Sequence, residues 1–374
     1  MHYLDHSATS PVLPEAAQEA LRLMTEQFGN PSSVHRLGIA AADELSRARK
    51  QLAQLAGCTA EELTFTACGT ESTNTAIAGA CTKSRGKHII TTSIEHAATL
   101  NSVRRLEQDG YEATYLQPDA DGHISLDEFK TAVRPDTALL TCMLVNNEVG
   151  TVLPVKEMGK FLKKKAPRAL FHIDAVQGLG RIELKPKLWN ADLMSLSGHK
   201  IGAPKGIGAL YIRKGVHIAP YLVGGGQERG MRSGTEAMPN IAAFAEAARL
   251  RREHLKENYA HVQELNDALR AGLAERFPWA VVNGNADIPH VLNVSFPGCK
   301  SEVMLRVLES REVYVSSGSA CSKGKASHVL AAMKVPHERI DSALRISFAP
   351  ENTMEDVQAL LDACEEGAAR LRRA

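Results

Sequence analysis

Asp192-Leu193-Met194-Ser195-Leu196-Ser197-Gly198-His199-Lys200 is the stretch whose reading decides the fold. An apolar strand, Leu193 to Leu196, stops at Ser-Gly-His-Lys, and a second apolar run, Gly208 to Ile212, follows a turn holding Gly202, Pro204 and Gly206. Strands with few flanking charges are buried on both faces, which places Lys200 just past the end of a buried strand. In an open parallel sheet that edge is where ligands bind. A lysine in low-dielectric surroundings gives up its proton readily and becomes a nucleophilic amine. A solvated turn lysine is the alternative that this stretch alone leaves open.

Twenty-six residues earlier, Ala169-Leu170-Phe171-His172-Ile173-Asp174 is another buried strand, here ending in a carboxylate and followed by Gln177. An unpaired buried carboxylate is costly, so Asp174 calls for a cationic partner. The protonated pyridine nitrogen of pyridoxal phosphate (PLP) is such a partner, and the protonated ring is an electron sink. Strand-Asp-x-x-Gln followed by strand-Ser-x-His-Lys resembles the class V branch of the PLP-dependent aminotransferases.

Other strand ends point the same way. Leu63–Thr66 reads as a strand that leads through Cys68-Gly69-Thr70 into a helix over 71–82. A small-residue turn opening a helix presents free N–H groups and the positive end of the helix dipole to an anion. The strand over 88–92 ends near His96, where an imidazole can lie against a ring and shuttle protons. The strand over 138–145 closes at Asn146-Asn147, an amide site or simply a turn. His6 and His35, both near turns, read as structural. Six strands interleaved with helices between 63 and 212 predict a mainly parallel, doubly wound α/β sheet. Five of its carboxyl ends carry Thr70, His96, Asn147, Asp174 and Lys200, and that convergence carries the cofactor assignment.

The flanks complete the pattern. A helix over 15–27 and another whose apolar face includes Leu37, Ala41, Leu45, Ala48 and Leu52 precede the sheet. Gly224-Gly225-Gly226-Gln227-Glu228-Arg229-Gly230 and the following Arg232 to Glu236 form a loop suited to an anion. A helix over 236–275 is long enough to join two domains. The strand over 290–296, the helix over 301–310 and the strand over 313–317 then lead to Ser316-Ser317-Gly318-Ser319-Ala320-Cys321. This Gly/Ser-rich segment has little to anchor it and is expected to be mobile. Lys323 and Lys325 would favour a Cys321 thiolate. A strand over 343–348 carries Arg345, whose planar fork fits a carboxylate, or a structural ion pair. A helix over 354–373 closes the chain.

Tyr3-Leu4-Asp5-His6-Ser7-Ala8-Thr9-Ser10-Pro11, then Phe28-Gly29-Asn30-Pro31-Ser32-Ser33-x-His35, resemble the start of class V cysteine desulfurases, and Ser316 to Cys321 matches the active-cysteine loop of the NifS/IscS-like group. The resemblance runs from residue 3 to about 350 and implies a fold-type I PLP enzyme, a large domain over 15–249 with a smaller α/β domain formed by 1–14 and 250–374. It implies that Lys200 holds PLP covalently, Asp174 faces the ring nitrogen, Gln177 bonds the ring oxygen and His96 stacks on the ring. Gly69, Thr70, Ser197 and His199 would hold the phosphate, joined by Thr235 from the other subunit of a homodimer, while Asn147 and Arg345 would hold the substrate carboxylate. The implied reaction takes sulfur from L-cysteine, leaving L-alanine and a persulfide on Cys321 for a sulfur acceptor, an Fe–S scaffold or a thiolation enzyme. The span from Cys321 to Ser327 is slightly shorter than in the housekeeping members, which leaves the acceptor open. An aminotransferase or a selenocysteine lyase would share the fold.

Composition agrees with an enzyme of this size. A chain of 374 residues exceeds one core. Hydrophobic residues at 44% and charged residues at 23% are ordinary for a globular protein. A net charge of +1 gives no global field for nucleic acid. The longest apolar runs are shorter than a membrane span. Seven scattered cysteines form no Cys-x-x-Cys pair, against a structural metal or a disulfide framework, and a cytoplasmic home is expected. A nucleotide-binding α/β protein is the non-enzyme rival, but neither Gly-x-x-x-x-Gly-Lys-Ser/Thr nor a strand-borne Gly-x-Gly-x-x-Gly is present.

Overall fold

The computed structural model describes residues 1–317 and 326–371. The chain opens with β1 (His2–Tyr3), α1 (Pro14–Thr25) and α2 (Arg36–Ala56). It then alternates through β2 (Leu63–Thr66), α3 (Gly69–Lys83), β3 (His88–Thr92), α4 (Ala97–Gln108), β4 (Glu112–Leu116), α5 (Leu126–Ala132), β5 (Thr137–Met143), α6 (Val155–Lys165), β6 (Leu170–Asp174), β7 (Leu193–Ser197) and β8 (Gly208–Ile212). These strands form one seven-stranded sheet in the order β2-β8-β7-β6-β5-β3-β4. The most apolar runs, in β5, β6 and β7, take the centre, while the half-polar β4 lies at an edge.

The sequence reading expects six strands, and the sheet has seven. The difference lies at β7 and β8. Residues 198–207 are too short for a crossover helix, so β8 runs antiparallel to β7 and β2 instead of adding a parallel strand. Every other strand of the sheet runs one way. The residues after β2, β3, β5, β6 and β7 therefore gather at one edge.

Close backbone approach packs α3 against the rest of the molecule. A Cβ at Gly79 would lie 2.5 Å from the Ala219 carbonyl oxygen, which only glycine avoids. Under the sheet, Asp192 is fully buried just before β7 and is bound by Lys163 and Arg213, while its Oδ2 accepts from the Phe171 N–H at 2.7 Å. Its charge is thus compensated on both oxygens, as a buried carboxylate requires.

The expected helix over 236–275 is two helices, α7 (Met238–Glu253) and α8 (Leu255–Arg276), broken at His254. The break lets one segment serve two cores. Ile241, Phe244 and Ala248 of α7 pack into the core beneath the large sheet, whereas Val262, Leu265, Leu269 and Leu273 of α8 pack into a second core. That second core covers a three-stranded antiparallel sheet of β9 (Val281–Val282), β10 (Val291–Ser295) and, beyond α9 (Ser301–Ser310), β11 (Val313–Tyr314), α10 (His328–Ala332) and α11 (His337–Asp341), the strand β12 (Ala343–Ser347). The chain ends in α12 (Met354–Leu371). Leu4 joins this second core, and β1 pairs with β11, so the N-terminal segment belongs physically with the C-terminal part. Cys321, Lys323 and Lys325, and the end of the helix expected over 354–373, lie outside the described residues.

Candidate active site

A cavity of about 220 Å³ opens at the gathered strand ends. Gly69, Thr70, His96, Asn147, Asp174, Gln177, Ser197, His199, Lys200 and Arg345 all line it. Two sequence candidates are not among these. Thr235 is exposed on the loop after β8, and Cys321 lies outside the described residues.

The floor is set by β6 and β7. Asp174 ends β6, is buried, and accepts the Val176 N–H at 3.0 Å through Oδ1. Burial raises its carboxyl above the ordinary carboxylate range, an effect opposed by nearby His96. Lys200 closes the single 3-10 turn Gly198–Lys200 that follows β7. Its Nζ donates to the carbonyls of Ser7 and Ala8 at 2.5 and 2.6 Å. The N-terminal segment thus forms a roof over the lysine. It is held there by Ser10 N–H to the His199 carbonyl at 2.8 Å and Leu13 N–H to the Gly202 carbonyl at 2.9 Å.

His96 caps α4. Its Nδ1 accepts the Ala98 N–H at 3.1 Å, so in the neutral ring the proton sits on Nε2. Burial lowers its pKa, against the pull of Asp174. His199 meets Thr9 Oγ1 through Nδ1 at 3.1 Å, and burial, with Lys200 beside it, pushes its pKa down to about 4. His199 is therefore a neutral hydrogen-bonding group at physiological pH.

The other walls are polar too. α3 starts at Gly69, so its first-turn N–H groups have no intrahelical acceptor. A Cβ at Gly69 would meet Val176 Cγ2 at 3.0 Å and Ser197 Cβ at 3.3 Å, and glycine keeps this corner open. Gln177 donates from Nε2 to the Ser7 carbonyl at 3.0 Å and accepts at Oε1 from Arg181 Nη1 at 2.6 Å. Arg345 is 1% exposed; it donates to Asp5 Oδ1 at 2.6 Å and to the Asn147 carbonyl at 3.2 Å, while its Nε has no partner among the described residues.

This donor set fits PLP. A helix N-terminus with a threonine, a serine and a neutral histidine suits a phosphate. A buried acid suits a ring cation, and a lysine between them suits an aldehyde. Arg345 supplies a fork for a carboxylate.

Sequence reasoning missed several groups here. Ser7 and Ala8 act through backbone carbonyls, which no side-chain motif signals. Asp5 lies inside the quoted opening stretch without a role assigned to it, and Arg181 stands four residues after Gln177 with no motif of its own. Cys68, at the N-cap of α3, lines the cavity with a thiol.

Glu95 lies fully buried beside this wall. Its Oε1 accepts from Thr92 Oγ1 at 2.7 Å and from Met143 N–H at 3.0 Å, and its Oε2 has no partner among the described residues. Burial pushes its carboxyl up to about 8, outweighing the two hydrogen bonds that favour the anion. An acid raised on folding keeps its full contribution below its unfolded pKa and loses it as pH climbs to the folded one. Native stability should therefore fall between pH 4.5 and 8 through this group. Glu95→Gln should remove that slope, which approaches about 1.4 kcal/mol per pH unit within the interval. Urea midpoints at pH 5 and pH 8.5 test it, and parallel pH profiles for the two proteins would show that Glu95 titrates normally.

The family model described as aminotransferase class-V matches residues 2–360. The cysteine desulfurase IscS of Methanosarcina thermophila is 43% identical over 376 residues, 99% of this chain and 92% of that protein. A solved NifS-like protein superposes with a TM-score of 0.93 at 37% identity, covering 99% of each chain. A structure described as SspA in complex with cysteine gives a TM-score of 0.82 at 32% identity, over 94% of this chain and 100% of that one.

Proposed function

The chain belongs to the class V aminotransferase family, and from that premise we propose that it is a PLP-dependent cysteine desulfurase acting on L-cysteine. One observation carries the reading: Lys200, Asp174, His96 and Arg345 meet in a single cavity at the N-terminus of α3. The chemistry that bound PLP supplies is an electron sink for the charge left at the substrate Cα.

The roles we assign to the chain's own residues are supported by the lining of the cavity and, for Cys321, by the sequence resemblance. Lys200 is the amine that tethers the cofactor. Asp174 offers an anion to the ring nitrogen, and a cation set against it would lower its raised pKa. Gly69, Thr70, Ser197 and His199 surround the phosphate end. Arg345 and Asn147 orient the α-carboxylate of L-cysteine, with Asp5 as the counter-ion of Arg345 before substrate arrives. His96, neutral and protonated at Nε2, is placed to move a proton at the cavity. Cys321 takes the sulfur. The substrate C–S bond breaks as an S–S bond forms to Cys321 Sγ, and L-alanine leaves with the thiol proton in place of the sulfur. The persulfide then passes to a sulfur-acceptor protein, such as an Fe–S scaffold or a thiolation enzyme. Purified protein should show a visible band with PLP and release one alanine per sulfur from L-cysteine. A protein that binds PLP but releases alanine without sulfur, or binds no PLP, is not a desulfurase.

We further assign residues 15–249 to the large domain and 1–14 with 250–374 to the small one, and a homodimer to the working form. Several large apolar side chains are exposed, Phe28 at 67%, Val34 at 93% and, on the loop after β8, Val223 at 80% among them, and a partner chain would cover such side chains. Thr235 on this loop is the residue we place in the partner's phosphate site. Mixing inactive Lys200→Ala chains with inactive Thr235→Val chains should then recover up to about a quarter of wild-type activity, through the dimers that retain one intact site. Sedimentation of a monomer at assay concentration would refute the shared site.

A further inference from the structure

Arg181 is a buried cation without an acid. It is 5% exposed, and no carboxylate lies within 4.0 Å of it among the described residues. The two arginines nearest to it each have one: Arg251 pairs with Glu351 at 2.7 Å and Arg345 with Asp5 at 2.6 Å. A guanidinium taken out of water without a counter-ion is unfavourable. Its bonds are one short donation, Nη1 to Gln177 Oε1 at 2.6 Å, and a long one, Nη2 to the His6 carbonyl at 3.5 Å.

The local backbone is built to make that donation. The turn after β6 folds Arg181 back under the residue four positions before it, with Arg181 N–H bonded to the Gly178 carbonyl at 3.1 Å. Gly180 takes φ 70°, and a Cβ there would crowd Ile201 Cγ2 at 3.0 Å. The consequence for Gln177 is a matter of hydrogen-bond type. An amide can ordinarily flip, exchanging its oxygen and nitrogen. A guanidinium only donates, and the Ser7 carbonyl only accepts. Gln177 is held between the two, so Oε1 must face Arg181 and the NH2 group must face Ser7 and the cavity.

We propose that Arg181 is a positioning residue: it locks the Gln177 amide with its N–H groups toward the cavity, to donate to the ring oxygen of PLP, and its charge disfavours protonation of the bound cofactor. The inference rests on the proposed function, since it needs PLP in this cavity. Both effects act in one direction. A fixed donor stabilises an anionic ring oxygen, and a buried positive charge behind it opposes a further proton.

Other groups facing Arg181 do not blur the effect. His6 is held near pKa 4 and His290 well below its ordinary value, by burial first and by the Arg181 charge second, so both are neutral in the unaltered protein and burial still holds them down when Arg181 is replaced. Arg251 is paired with Glu351 and Arg345 with Asp5, and the variants leave both pairs in place. Across Gln177 the cavity carries Asp174, His96 and Lys200, which the variants leave in place.

The test is a spectroscopic titration of PLP-loaded protein from about pH 5.5 to about pH 8.5. Arg181→Met should move the pH midpoint of the visible band up by about one unit. Arg181→Lys, which keeps the charge, should recover most of the shift. Gln177→Glu gives Arg181 a carboxylate and preserves the buried pair, yet removes the donor; it should raise the midpoint even if Arg181→Met does not fold. An unchanged midpoint in Arg181→Met, or in Gln177→Glu when Arg181→Met cannot be obtained, overturns the inference. A wild-type protein that takes up no PLP overturns the proposed function instead, so the two failures are distinct.

Discussion

Lys200→Ala is expected to fold, to lose the visible band of lysine-tethered PLP, and to lose turnover by at least about 1,000-fold, because the amine proposed to tether the cofactor is removed. Folding should survive. Lys200 closes one 3-10 turn, and the core beneath the sheet, which runs from Leu52 through Phe171 and Leu196 to Phe244, does not include it. The local cost is confined to the roof. Removing Nζ leaves the Ser7 and Ala8 carbonyls without that donor, about 1–3 kcal/mol if water cannot replace it. The N-terminal segment remains fastened through Ser10 and Leu13. A visible spectrum, a thermal melt and alanine release from L-cysteine measure the three parts separately. A fully active Lys200→Ala protein would sink the assignment, whatever the spectrum showed.

The strand-end logic was legible in the sequence because parallel strands gather their carboxyl ends on one edge, so Thr70, His96, Asn147, Asp174 and Lys200 could be brought together from the order of strands and helices alone. Arg345 arrives from the other sheet, where only its place inside an apolar strand marked it. What stayed hidden has physical reasons. The direction of β8 depends on the length of the 198–207 connection, not on the strand's own pattern. The break at His254 depends on there being two cores to fill, since each half of the 238–276 stretch is a sound helix alone. The roof over Lys200 is built from backbone carbonyls, which carry no side-chain signature. The role of Arg181 follows from the absence of a nearby carboxylate among the described residues, a property of three-dimensional neighbourhood that spacing does not encode.

Cys321→Ser separates cofactor chemistry from sulfur capture. None of the ten residues lining the proposed cofactor and substrate site changes, so PLP binding and the spectral response to L-cysteine should persist. Sulfur release should fall by at least about 100-fold, since a hydroxyl is a far weaker nucleophile toward sulfur than a thiolate. The flanks of the 318–325 segment support the assignment. Ser316 exchanges backbone hydrogen bonds with Arg345 at 2.6 and 3.2 Å. On the far side, Ser327 Oγ donates to Glu148 Oε2 at 2.5 Å, next to Asn147, and His328 Nε2 meets the Glu95 carbonyl at 3.0 Å, next to His96. Both flanks are thus fastened to residues of the cavity or their immediate neighbours. Activity of the unaltered protein should decline as pH drops below the pKa of the thiol, because only the thiolate attacks. Cys68 makes the result decisive, for it is the one thiol that lines the cavity among the described residues. Mass spectrometry after exposure to L-cysteine should find one extra sulfur on Cys321 and none on Cys68. Sulfur found on Cys68 would move the acceptor role to the α3 N-cap. Near wild-type sulfur release from Cys321→Ser, with neither thiol modified, would replace the desulfurase mechanism with β-elimination, in which sulfide leaves the substrate without a protein nucleophile.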